Sequence, residues 1–179
     1  MVKVLNLESV DVKEKITALE SLANIADDTI IQKIISLLDD ADIRVRGEAF
    51  SSLLLNNNDI FHHLISNLKS ENKNIRGYAV LVLANRGEYE AIPDITRLAD
   101  DGHPMVRSCA LGSLGYLRAT KSGDVILEHL TDSNMEVKKS AIKAEIDIHM
   151  PFSDDMIQNI LQEKDDEVER LIDLARTNN

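Results

Sequence analysis

Apolar residues in this chain recur three and four positions apart in short runs separated by polar turns. "IIQKIISLL" (residues 30–38) and "IFHHLISNL" (residues 60–68) show the spacing well. That is the period of one helix face, and the strict alternation of a half-buried strand is missing. The runs also repeat. Displaced by about 31 residues, "DIRVRGEAF" aligns with "NKNIRGYAV", "HPMVRSCAL" and "NMEVKKSAI". Each carries a basic register residue: Arg46, Arg76, Arg107 and Lys138. An apolar residue precedes each (Val45, Ile75, Val106, Val137), and an alanine follows three later (Ala49, Ala79, Ala110, Ala141). One step backwards reaches Lys15 with Ala18, and one step forwards reaches Glu169 with Val168 and Ile172.

Four residues before the register points stand Asp11, Asp42, Asn72, His103, Asn134 and Asp165. All but His103 are favoured helix N-caps, and His103 precedes Pro104, a first-turn residue. Every register point therefore falls in the opening turn of a helix. A preceding helix ends at Leu38, Leu68, Leu98, Leu130 and Leu161. The unit is a short helix, a tight polar turn and a second helix, and a fixed period of this length predicts a solenoid. The expected architecture is all-α, five helix pairs after a leading helix, as one domain over residues 1–179. The leading helix is placed at about residues 10–26 and the repeats at about 28–56, 58–87, 89–118, 121–149 and 153–178.

The segment "EAIPDITRLADDGHPMVRSCALGSLGYL" resembles a HEAT repeat of the short, phycobilisome-lyase-like type. The resemblance rests on Pro93 in the first helix, Asp100 and Asp101 at the turn, the Val106–Arg107 pair and the small-residue second helix. It covers about residues 10–177 and implies a HEAT-like superhelix. It also implies that the register cations are structural. Arg46, Arg76, Arg107 and Lys138 share an azimuth with the apolar stripe, where a charge is costly unless a carboxylate meets it. The turn aspartates Asp40, Asp101 and Asp132, six residues upstream, are the expected partners, reaching between repeats. Lys138 forks poorly and Glu169 reverses the sign, which suits a terminal unit.

Composition narrows the function. The net charge of −11 disfavours nucleic acid and anionic membrane surfaces as partners. A single cysteine, Cys109, excludes an internal disulfide and a multi-cysteine zinc site. The N-terminal segment has no apolar run of signal-peptide length, and no stretch of about 18 apolar residues occurs, so a cytoplasmic protein is expected. No histidine pair has the i, i+4 spacing of a helical metal site. His62 and His63 diverge by about 100° on a helix. The single Glu128–His129 dipeptide reverses the His-Glu order of HEAT-like deoxyhypusine hydroxylases. Cys109 has no histidine nearby in sequence, and "LGSLGYL" reads as close helix packing rather than a phosphate loop. The acidic, Trp-free chain also lacks the basic aromatic face of HEAT-like alkylpurine glycosylases. No catalytic, cofactor-binding or metal-ligating residue is assigned, and no cofactor is expected.

In HEAT-like arrays the second helices line the concave side. Positions two, five and nine after each register point lie opposite the core stripe. In the middle repeats these include Leu55, Tyr78, Leu81, Asn85 and Tyr116. They form an apolar, aromatic patch with tyrosines as anchors and Asn85 as a hydrogen-bonding group. Array curvature could instead bury these side chains between neighbouring helices. The expected function is a monomeric, non-enzymatic scaffold or adaptor that docks a protein or peptide segment there. The alternative is a bilin-lyase-like auxiliary or catalytic subunit binding a tetrapyrrole-sized ligand. Residues 150–179, with eight acidic and three basic side chains, read as a solvated cap, or else as a surface for a basic partner.

Overall fold

The computed structural model describes residues 6–162 and 164–177. It is an all-α solenoid of a leading helix and five helix pairs, with no strand among the described residues. Residue 178, at the expected end of the last repeat, lies outside the described residues. The leading helix is α1 (Val12–Leu22). The pairs are α2 (Asp28–Ser36) with α3 (Ile43–Leu55), and α4 (Phe61–Asn67) with α5 (Lys73–Asn85). Then follow α6 (Ile92–Leu98) with α7 (Pro104–Tyr116), α8 (Gly123–Glu128) with α9 (Met135–Asp147), and α10 (Asp154–Ile160) with α11 (Asp166–Thr177). Backbone contacts group these into two compact units, Met1–Glu88 and Tyr89–Asn179.

The second helices begin where their caps dictate. Side-chain oxygens of Asp11, Asp42, Asn72 and Asn134 accept backbone N–H groups of the first turn, and Asp165 does so for Glu167 and Val168. His103 caps α7 through Nδ1, which accepts from the Met105 N–H at 3.3 Å.

The ends are equally regular. Gly87, Arg118 and His149 adopt left-handed φ of 71°, 51° and 58°. The following N–H groups of Glu88, Ala119 and Met150 reach back to the carbonyls of Leu83, Leu114 and Glu145 at 3.0, 2.9 and 3.2 Å. This is the 6→1 closure of a Schellman end, for which glycine is the unstrained residue. Arg118→Gly should therefore raise stability by about 1 kcal/mol, read as a higher urea midpoint. An unchanged midpoint would mean that the pairing of Arg118 Nη1 with His149 Nε2 at 3.0 Å offsets the strain.

Within each unit the core follows the repeat. The alanines three after the register points (Ala18, Ala49, Ala79, Ala110, Ala141) are buried, as are Leu22, Leu53, Leu83 and Leu114 at the seventh position. A small residue at the third position lets neighbouring helices approach, and leucine at the seventh fills the space between them. The fifth member of the leucine column is Glu145, which is fully buried.

The register cations lie beside this core. Arg46 Nη1 donates to the carbonyls of Asp40 and Ala41 at 2.7 and 3.2 Å, and Arg76 Nη1 to those of Ser70 and Glu71 at 2.7 and 3.0 Å. Arg107 Nη1 takes the Asp101 carbonyl at 3.0 Å. What the residue six upstream supplies here is its main-chain oxygen, where a carboxylate was expected. The carboxylate comes from 25 residues ahead, in the next repeat's turn: Lys15 pairs with Asp40, and Arg107 forks onto Asp132 at 2.8 and 2.9 Å. Geometry explains the change. The upstream turn wraps the guanidinium closely, leaving its outer edge directed at the next turn.

Candidate functional site

The candidate site is the outer face of the second helices, taken in each unit separately. Nine residues after the register point, the positions Asn24, Leu55, Asn85, Tyr116 and Asp147 are all exposed. Leu55 keeps 66% of its surface in water and Tyr116 62%, high values for side chains of their size.

In the first unit, Tyr78 and Leu81 are half-buried. The Tyr78 ring tilts against Phe50 on α3, with centroids 6.3 Å apart. Asn85 is exposed, but its Nδ2 donates to the Leu81 carbonyl at 2.8 Å, which closes part of its hydrogen-bonding capacity. Two carboxylates share this face, Glu20 on α1 and Glu48 on α3. Burial, with repulsion from Glu20, holds the Glu48 carboxyl above its ordinary value. In the second unit, Tyr116 stands on α7 near exposed Gly112, while Cys109, Ser140 and Ser108 are half-buried. The Ser108 and Ser140 hydroxyls bond at 2.7 Å.

A family model for HEAT repeats matches residues 61–146. That segment carries HEAT repeats. No curated protein matches the sequence. Among solved structures, the CpcE–CpcF complex of phycocyanin lyase from Nostoc is similar at a TM-score of 0.70 and 19% identity, covering 84% of this chain and 99% of that one. An engineered protein gives 0.64 at 19%, over 99% and 96%. A designed armadillo repeat protein in complex with the peptide (KR)4 gives 0.56 at 20%, over 99% and 98%. At these identities the likeness is one of fold.

Other reactive side chains of the array have structural surroundings. Burial pushes the Cys109 thiol up to about 11, so at neutral pH it is not a thiolate nucleophile. His63 pairs with Asp28 and Gln32 at 3.0 Å each, and His129 Nδ1 donates to the Val125 carbonyl at 2.9 Å. Among the described residues no three His, Cys, Asp or Glu side chains gather as a metal site. Among the described residues no helix is long and apolar enough to cross a membrane.

Two features escaped the sequence reading. One is Glu145, which stands in a column of leucines and was detectable from that column alone. The other is Arg86, whose guanidinium donates to the carbonyls of Leu53, Asn56 and Asn58 and so caps the end of α3. Nothing in the spacing of Arg86 separates it from a surface arginine.

Proposed function

We propose that the protein is a non-enzymatic binding scaffold whose second-helix face docks an extended protein segment bearing basic residues. The carrying observation is the exposed side chain nine residues after the register point, Leu55 in the first unit and, separately, Tyr116 in the second. Large apolar side chains left in water on a helix face favour a partner that covers them. Tyr78, Leu81 and Asn85 stand on α5 of the same unit, and Glu20 and Glu48 on the second-helix face favour a cationic guest. A net charge of −11 acts in the same direction at longer range. A designed armadillo protein of the same fold type, bound to the peptide (KR)4, supports basic segments as a guest class.

The bilin-lyase alternative requires a tetrapyrrole-sized pocket. A visible-absorbance titration with a bilin tests it, a shifted spectrum on mixing favouring that reading. The docking role is tested by fluorescence anisotropy with a library of basic, leucine-containing peptides and an acidic counterpart set. Binding of the basic set should fall about tenfold or more in Leu55→Asp or Tyr116→Asp. Undiminished affinity in both folded variants would remove this face from the function.

A further inference from the structure

Glu145 occupies the seventh position of the repeat, where Leu22, Leu53, Leu83 and Leu114 stand in the earlier repeats. It has no accessible surface, and neither carboxylate oxygen has a hydrogen-bond partner. A buried ionised carboxylate without donors is among the costliest groups a core can hold, whereas its protonated form is a compact, only moderately polar side chain. The neighbouring charges do not relieve it. From α7, Arg107 is committed to Asp132, and the Cys109 thiol is pushed up by burial. From the turn before α9, His129 donates to Val125 and lies 3.6 Å from Asp100. From α8 come two more carboxyl side chains, Asp124 and Glu128, and Asp124 acts on Glu145 directly. From α11, Glu167 pairs with Lys139 and Lys143, and Arg176 with Asp173. That helix also carries Asp166, Glu169 and Arg170, and α9 itself carries Glu136, Lys138 and Asp147. None of these side chains donates to Glu145.

We propose that Glu145 makes the packing of α9 in the second unit depend on a proton: tight while its carboxyl is neutral, loosened once it ionises. Burial, with repulsion from Asp124, raises the carboxyl from 4.5 to about 7, which places the transition near neutrality. The sign follows from linkage. A carboxyl raised in the folded state binds more protons there than in the open state. Its contribution is therefore full below about 4.5 and is lost as pH rises through about 7.

The test is amide hydrogen exchange of the full chain between about pH 5 and pH 8, corrected for intrinsic rates, with α5 as the internal reference. Protection of α9 should fall on the order of a hundredfold across that interval while α5 stays level. Glu145→Gln should flatten the profile, and Glu145→Leu should flatten it at a protection above wild type at the alkaline end. A carboxyl carbon resonance of Glu145 moving near pH 7 in an NMR titration would support the same assignment. Level α9 protection in the wild type, or an equal slope in the Glu145→Gln variant, would overturn it. If the glutamine variant does not fold, the leucine variant provides the comparison, and a Glu145 resonance that titrates near 4.5 overturns the proposal on the wild type alone.

Discussion

Gly115→Val should cost the second unit about 3 kcal/mol or more, the upper part of the range for overpacking, because the obstruction is main chain. A Cβ built on Gly115 lies 2.6 Å from Ala144 Cα and 3.0 Å from Ala144 Cβ, so α7 and α9 meet backbone to backbone there. No rotamer change relieves such a contact; the helices must separate. Gly112, one turn earlier on the same helix, is the matched control, since a Cβ there meets nothing within 4 Å. Gly112→Ala should stabilise by about 0.5–1 kcal/mol through helix propensity alone. Chemical denaturation of the two variants reads the opposite signs directly. Destabilisation of similar size in both would mean that helix approach at Gly115 is not what sets this packing.

Arg107→Ala should cost about 3 kcal/mol, the low end for breaking a buried pair by removing one partner. The fork onto Asp132 is largely screened from water, with 14% and 9% of the two side chains exposed. Truncation strands Asp132 and also frees the Asp101 carbonyl. Arg107→Lys should recover only part of the loss, because an ammonium cannot make the fork. The pH dependence is specific. Burial alone would push the Asp132 carboxyl up, but the hydrogen bonds from Arg107 and the Asn134 N–H outweigh it and hold the group below its ordinary value. A depressed carboxyl contributes stability above the unfolded value, about 4, and loses it as pH falls through the folded one. Wild type should therefore lose this contribution in acid, and Arg107→Ala should begin to gain from protonation of Asp132 at a higher pH. Urea midpoints across pH 3 to 7 would show it; parallel profiles for the two proteins would argue that the pair is not energetically coupled.

The repeat was legible because its signals are local. Caps such as Asp42 and Asn134 and the buried alanine column depend on neighbours within a turn or two, so spacing alone placed them. The partner of Arg107 was not legible at the same level. Whether a guanidinium meets the carboxylate six residues behind or 25 ahead depends on how tightly the upstream turn wraps it. The close helix packing expected of "LGSLGYL" is made at Gly115, which touches the next helix, whereas Gly112 faces open space. The rotation that separates them is a property of the pair of helices. On the candidate face, Leu55 and Tyr116 are exposed, whereas Tyr78 is partly covered by Phe50, a residue on the neighbouring helix. Glu145 was legible in principle. A column reading Leu, Leu, Leu, Leu, Glu is a conflict between local pattern and buried environment, and such conflicts concentrate where a protein does something beyond folding.

The central functional claim is that the second helices present the binding face. A photo-crosslinking amino acid placed at Leu55 or Tyr116, and in parallel at the exposed first-helix positions Gln32 and Arg97, tests it inside the native cell. The predicted result is a discrete protein adduct from positions 55 and 116, enriched in basic segments at the crosslinked site, with none from positions 32 and 97. Adducts that form only from positions 32 and 97 would contradict the account.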